Sequence, residues 1–116
     1  MLDAWVPKPA LRSDEREIET YRAGRTQGSR VVGGHLLLTD HRVLFYPHKF
    51  DSSTGGKLWE CELTAITSVG LSERGLHPFN GSMRRRLKIE HDGGTDYIVV
   101  NRAQAIADAV RRAAGL

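Results

Sequence analysis

The stretch GHLLLTDHRVLFY, residues 34–46, holds two apolar runs that meet at a short polar turn. Its first arm is rich in leucine and closes on Thr39. Thr39, Asp40 and His41 carry turn chemistry, and residues 43–46 are β-branched and aromatic, the composition that strands prefer. Neither arm has the length or the 3.6-residue period of a helix. The stretch therefore reads as a β-hairpin, and the other elements are placed outward from it.

Upstream, residues 17–26 alternate in part, with Ile18, Thr20 and Arg22 on one side and Glu19, Tyr21 and Ala23 on the other, and form a first strand. Residues 27–30 are a turn. The second strand is 31–39, and the pair Gly33-Gly34 inside it marks a bulge or sharp bend, where a missing Cβ lets a sheet coil. The third strand is 42–47. Ahead of all three, Pro7 and Pro9 make residues 1–13 an extended arm, read as a frayed tail with Trp5 as a large anchor. Ser13 is placed to cap a short helical turn over 13–16.

Downstream, residues 48–56 have loop composition and are longer than a tight hairpin needs, which makes them a candidate recognition loop. Residues 57–63 alternate, sending Trp59, Cys61 and Leu63 to the core and Leu58, Glu60 and Glu62 outward. A strand over 66–71 breaks the period of two between Ile66 and Val69, which suggests a bulge. A second long loop, 72–83, leads to a strand over 84–91 with Leu87 and Ile89 inward and Arg84, Arg86 and Lys88 outward. Asp92-Gly93-Gly94 is a hairpin turn and 95–100 the last strand. Residues 101–115 form a helix with Asn101 as N-cap, Gln104 reaching back to it and Gly115 past the last turn. Ala103, Ile106, Ala107, Val110 and Ala114 form its apolar stripe. The expected core is Leu36, Leu38, Val43, Phe45, Trp59, Leu63, Leu87, Ile89, Val99, Ile106 and Val110.

Gly34, Leu36, Leu38, Thr39, Asp40, Arg42, Val43, Phe45 and Tyr46 together give a pattern that resembles the central hairpin of GRAM domains, which share the pleckstrin-homology superfold. The resemblance spans roughly residues 14–115, and its sharp motif is confined to the hairpin. It implies a mainly β chain: a PH-like seven-stranded barrel or orthogonal sandwich capped by one C-terminal α-helix. On this reading 14–116 is the GRAM/PH-like domain and 1–13 its arm. It also implies a non-catalytic recognition role.

A chain of 116 residues, 40% hydrophobic and 27% charged, has the size and balance of one globular domain. No apolar run approaches the roughly 18 residues of a membrane span, and the N-terminus lacks the pattern of a signal peptide. The expected location is cytoplasmic, with the inner membrane face as a peripheral position. The one cysteine, Cys61, excludes an internal disulfide and reads as a small core residue. The five histidines have no partners at zinc-ligand spacing, and Gly55-Gly56-Lys57 lacks both the leading glycine and the following helix of a phosphate loop. No metal, cofactor or catalytic residue is therefore expected. The net charge of +3 is compatible with an anionic partner without requiring one.

The densest charge feature is Arg84-Arg85-Arg86 with Lys88, and two readings of it stay open. One is the solvated face of a strand. The other is an anion site in which Arg84, Arg86 and Lys88, joined by Lys49 and Lys57, meet the phosphates of lipid headgroups. Phe50, Leu76 and Phe79 are candidate interaction anchors on the two long loops. A protein-interaction or adaptor domain with an unidentified protein partner ranks first, and a peripheral module binding anionic phospholipid second. Nucleic acid is disfavoured because the basic strand interleaves no aromatic side chains. Self-association through an edge strand or the Trp5 arm would give a homo-oligomer.

Overall fold

Eleven residues of one strand hold the sheet together. In the computed structural model, which describes residues 8–48, 55–75 and 84–116, β1 (Glu17–Gln27) pairs along its length with β2 (Arg30–Thr39). On its other edge Ala23, Gly24 and Arg25 pair with Val100, Val99 and Ile98 of β7 (Gly94–Val100). The remaining elements are β3 (Arg42–Pro47), β4 (Trp59–Glu62), a 3-10 turn (Leu63–Ala65), β5 (Ile66–Leu71), β6 (Leu87–His91) and the helix α1 (Ala103–Ala114). Every strand pair is antiparallel, and the order across the sheet is β4-β3-β2-β1-β7-β6-β5. The fold is mainly β with one C-terminal helix.

The expected closure into a barrel is not made. Closure requires the two edge strands to hydrogen-bond to each other, and here β4 and β5 are the sheet's two edges although three residues separate them in sequence. Those three residues are occupied elsewhere. The Leu63 N–H donates to the His41 carbonyl at 3.0 Å, and the Ala65 carbonyl accepts from the Asp92 N–H at 3.2 Å. The turn is thus tied to the β2–β3 corner on one side and the β6–β7 corner on the other. Helix α1 packs against β5, β6 and the 3-10 turn.

The core lies on the inner face. Leu36, Leu38, Val43, Phe45, Leu63, Leu87, Ile89, Ile106 and Val110 are all buried there, as expected from their spacing. Trp59 is only half-buried at its margin, and Val99 is replaced by Ile98 and Val100. The register explains the exchange: Ile98 stands opposite the inward Leu87, so Val99 points to the outer face. The β2–β3 hairpin is buried on both faces, because Leu37, Leu44 and Tyr46 make a second cluster on the outer side. That double burial accounts for apolar runs without alternation in both arms.

Gly33-Gly34 is not a bulge. The β1–β2 register runs through it unbroken, Ala23 facing Gly34 and Gly24 facing Gly33. The reason for glycine is contact: a Cβ on Gly34 would lie 2.2 Å from the Tyr46 carbonyl oxygen and 2.8 Å from the Pro47 Cα. The irregularity expected in β5 is present as a register shift between Ile66 and Ser68. The expected cap of α1 is not formed. Arg102 takes the N-cap position in the left-handed region at φ 58°, with no side-chain cap bond, while Asn101 accepts from Arg84 and Gln104 donates to Asp108. Gly115, at φ 75°, ends the helix as expected, and the Leu116 N–H donates to the Arg111 carbonyl at 2.8 Å.

Gly34→Ala should cost about 3 kcal/mol or more, because the new methyl group meets backbone that cannot turn aside. Gly70→Ala, where nothing lies within 4 Å of the added carbon, should stay within about 0.5 kcal/mol. Urea unfolding of the two variants measures both; equal losses would place the constraint elsewhere than the β2–β3 approach.

Candidate functional site

The cations singled out in the sequence do not form one exposed face. Alternation holds along β6, with Lys88 opposite Tyr97 on the outer side, but each side chain has internal business. Arg86 is 8% exposed; its guanidinium lies 4.2 Å from the centre of the Tyr97 ring and donates from Nη1 to Thr26 Oγ1 at 3.0 Å. Burial pushes its pKa down, the direction expected for a cation taken out of water. Lys88 pairs with Glu90 at 3.1 Å, and Arg84 Nη2 donates to Asn101 Oδ1 at 3.1 Å. Arg84 and Arg86 also precede the strand, which begins at Leu87. Lys57 is exposed, and its backbone N–H is held by Gln27 Oε1 at 3.2 Å. Lys49, Phe50, Leu76 and Phe79 lie outside the described residues, as does Trp5.

A polar layer that the sequence did not reveal crosses the inner face. Asp96 Oδ1 accepts from Arg25 Nε at 3.1 Å and Nη2 at 2.7 Å, while Asp96 Oδ2 faces His91 Nε2 at 2.7 Å. His91 Nδ1 accepts from the Gly93 N–H at 3.1 Å, which leaves the ring proton on Nε2 for Asp96. The Arg25 guanidinium also lies 5.5 Å from the centre of the Trp59 ring. Four strands, β1, β4, β6 and β7, contribute one residue each. The nearby Cys61 thiol is pushed up to about 11, chiefly by burial and further by Asp92 and Asp96. A thiol held in that range carries almost no thiolate at neutral pH. Among the described residues no group of three His, Cys, Asp or Glu side chains could hold a metal ion.

On the outer side, Glu15 and Arg42 form a buried pair. Arg42 Nε donates to Glu15 Oε2 at 2.8 Å and Nη2 to Glu15 Oε1 at 2.9 Å, and Nη1 reaches Glu60 at 2.6 Å. The Thr39 hydroxyl adds a bond to Glu15 at 2.6 Å. Residues 8–16 are therefore no frayed tail: Ala10 accepts from Arg42 at 3.1 Å, Arg12 pairs with Glu62, and Lys8 with Glu17. The turn at 12–15 closes by the Glu15 N–H on the Arg12 carbonyl, and the Glu15 carboxylate, not Ser13, caps it by accepting from the Arg12 N–H. The hairpin residues Thr39, Asp40 and Arg42 thus serve this anchorage, Asp40 taking the Arg16 N–H at 2.8 Å.

The two sheet edges differ in how they meet solvent. β4 spans four residues and carries Glu60 and Glu62, each in an ion pair. Charges on a short edge strand discourage another chain from pairing there. β5 spans six residues, ITSVGL, without a charge or a proline. Beside it, where α1 ends, lies a depression of about 270 Å³ lined by Thr67, Ser68, Val69, Arg111 and Leu116. Arg111 is exposed and has no ion-pair partner among the described residues.

The Arg42 guanidinium, chiefly through its hydrogen bonds, holds the Glu15 carboxyl down at about 2 against an ordinary value of 4.5. A carboxylate depressed in the folded state stabilises the fold above its unfolded value, and the contribution, roughly 3 kcal/mol here, is lost as the pH falls from about 4.5 toward 2. Glu15→Gln should flatten that slope. Arg42→Met leaves a buried unpaired carboxylate, should lower stability at neutral pH by about 3 to 5 kcal/mol, and should reverse the slope because Glu15 then gains by protonation. Urea midpoints taken across that pH range decide it; an unchanged acid slope in Arg42→Met would assign the linkage to other carboxylates.

No family model matches the chain, and no curated protein matches it. Among solved structures, the C-terminal domain of an unknown protein from Leishmania infantum is similar, with a TM-score of 0.66 over 88% of this chain and 86% of that one. At 13% identity the likeness is one of fold.

Proposed function

We propose that the chain is a non-catalytic binding module of the PH-like, GRAM type, and that it acts as an adaptor by taking an extended segment of a partner protein along the open edge of β5. The order of elements, antiparallel strands followed by one helix, supports the PH-like assignment together with the hairpin motif. The observation that carries the binding mode is the contrast between edges: β4 is short and charged, whereas β5 is longer, uncharged and bordered by a depression. An added strand would satisfy backbone groups that β5 presents to solvent, and its alternate side chains would reach that depression.

Peripheral membrane binding has weaker support. A cation near an anionic bilayer contributes about 1 kcal/mol, and Arg86 is withdrawn onto Tyr97. Arg84, Arg85 and Lys88 together would supply about 3 kcal/mol, short of even millimolar affinity.

The test is amide hydrogen exchange with peptides selected from a random library displayed against the protein. Selected peptides should protect amides of β5 and leave those of β4 unchanged. Ser68→Lys, a charge on the exposed edge, should weaken binding about ten-fold while shifting stability by no more than about 0.5 kcal/mol. Protection that maps to β4 or to the outer face of β6 would reject the β5 edge, and equal capture by anionic vesicles would move the assignment to a membrane surface.

A further inference from the structure

We infer that His91 is a proton-operated latch on the β6–β7 turn: neutral, it holds the Gly93 amide, and on taking a second proton from solvent it releases that amide and turns to the Asp92 carboxylate. The inference does not depend on what the β5 edge binds. Its basis is that the two ring nitrogens have partners of opposite kinds. Nε2 faces Asp96 Oδ2 at 2.7 Å, and Nδ1 accepts from the Gly93 N–H at 3.1 Å. A neutral imidazole has one donor and one acceptor, which matches that pair of partners; an imidazolium has two donors. The Nε2–H to Asp96 is thus common to both states. Only the Nδ1 side changes, because a protonated Nδ1 and the Gly93 N–H are two donors aimed at each other.

The acceptor for the new donor is already beside the ring. Asp92 Oδ1 lies 4.0 Å from Nδ1, too far for a hydrogen bond in the neutral state, and the Asp92 side chain is 81% exposed, so rotation about its own bonds can close the gap. The His91 side chain, 13% exposed, stays packed. Around it stand Asp96 of β7 with Arg25 of β1 behind it, and on the β4 side the Trp59 ring, 6.2 Å between centroids, and the Cys61 thiol, on which Asp92 and Asp96 both act. Asp96 is shared with Arg25, whereas Asp92 has no other cation at ion-pair distance among the described residues. Glycine at 93 keeps the amide in reach, since a Cβ there would lie 3.3 Å from both Cε1 and Nδ1 of the ring. The latch sits at the start of the open edge. His91 stands opposite Ile66, the first residue of β5, and the Asp92 N–H donates to the Ala65 carbonyl at 3.2 Å. Movement of Asp92 toward the ring is therefore felt at Ile66, while Leu71, at the far end of β5, pairs with Leu87 away from the turn. An imidazole changes charge between about pH 8 and 5, so mild acid is the signal, and the tie to β7 through Asp96 is kept throughout.

The experiment follows the full, isotopically labelled chain by NMR across that pH range. At the alkaline end the ring should carry its proton on Nε2, and a nitrogen–nitrogen coupling through the hydrogen bond should join Nδ1 to the Gly93 amide. At the acid end that coupling should be lost and Nε2 should still be protonated. The Asp92 carboxyl carbon and the Ile66 amide should shift with the same midpoint as the ring, and the Leu71 amide should not. Asp92→Ala, an exposed change, should keep the Gly93 coupling at the alkaline end and its loss in acid, and should abolish the Ile66 response. A ring that carries its proton on Nδ1 at the alkaline end, one that stays neutral to the acid end, or a Gly93 coupling that survives titration of the ring would overturn the latch. An Ile66 response that persists in Asp92→Ala would overturn the part given to Asp92.

Discussion

β1 is hydrogen-bonded on both of its edges, and the rest of the structure depends on that. Its ladder to β2 carries β3 and β4 on one side; three residues paired with β7 carry β6 and β5 on the other. Without that second ladder the chain would be two separate meanders, each with an apolar face open to water. The ladder alone is short, and side chains reinforce it from the same strand: Arg25 on the inner face holds Asp96 of β7, and through Asp96 the His91 of β6. Buried ion pairs contribute little net stability against an apolar alternative, but breaking one is costly, so the pair ties the two halves in a single register.

An open sheet has two edges, and each must be managed. This chain treats them unequally. The β4 side is short, and the segment 8–16 is clamped to that half of the sheet by Arg42, which reads Glu15, Glu60 and the Ala10 carbonyl at once. The β5 side is left with uncharged residues and the end of a helix. Several cations meanwhile are held by internal partners, Arg25 by Asp96, Arg42 by Glu15 and Glu60, and Lys88 by Glu90.

The polar groups of the inner face are likewise engaged with one another. The His91–Asp96 contact has the geometry of a catalytic pair, yet both nitrogens of the ring are satisfied, and the neighbouring Cys61 is held as a thiol. Its role is to tie strands, with the polar groups satisfied among themselves on the otherwise apolar inner face.

The sequence by itself determined the hairpin, the succession of strands along the chain, the helix with its Gly115 stop, and most of the core, because these follow from periodicity and turn chemistry within a few residues. It also located the irregularity in β5. The partners of the charges were decided by tertiary structure alone. Arg25 and Asp96 are 71 residues apart, Arg42 and Glu15 27, and Arg86 lies on a ring contributed by the next strand. Alternation predicts which face a side chain leaves from, and not what waits there. For the same reason Val99 gave way to Ile98, Gly34 served a close approach instead of a bulge, and the barrel stayed open. Register and edge pairing are set by contacts between distant segments, which carry no local signal.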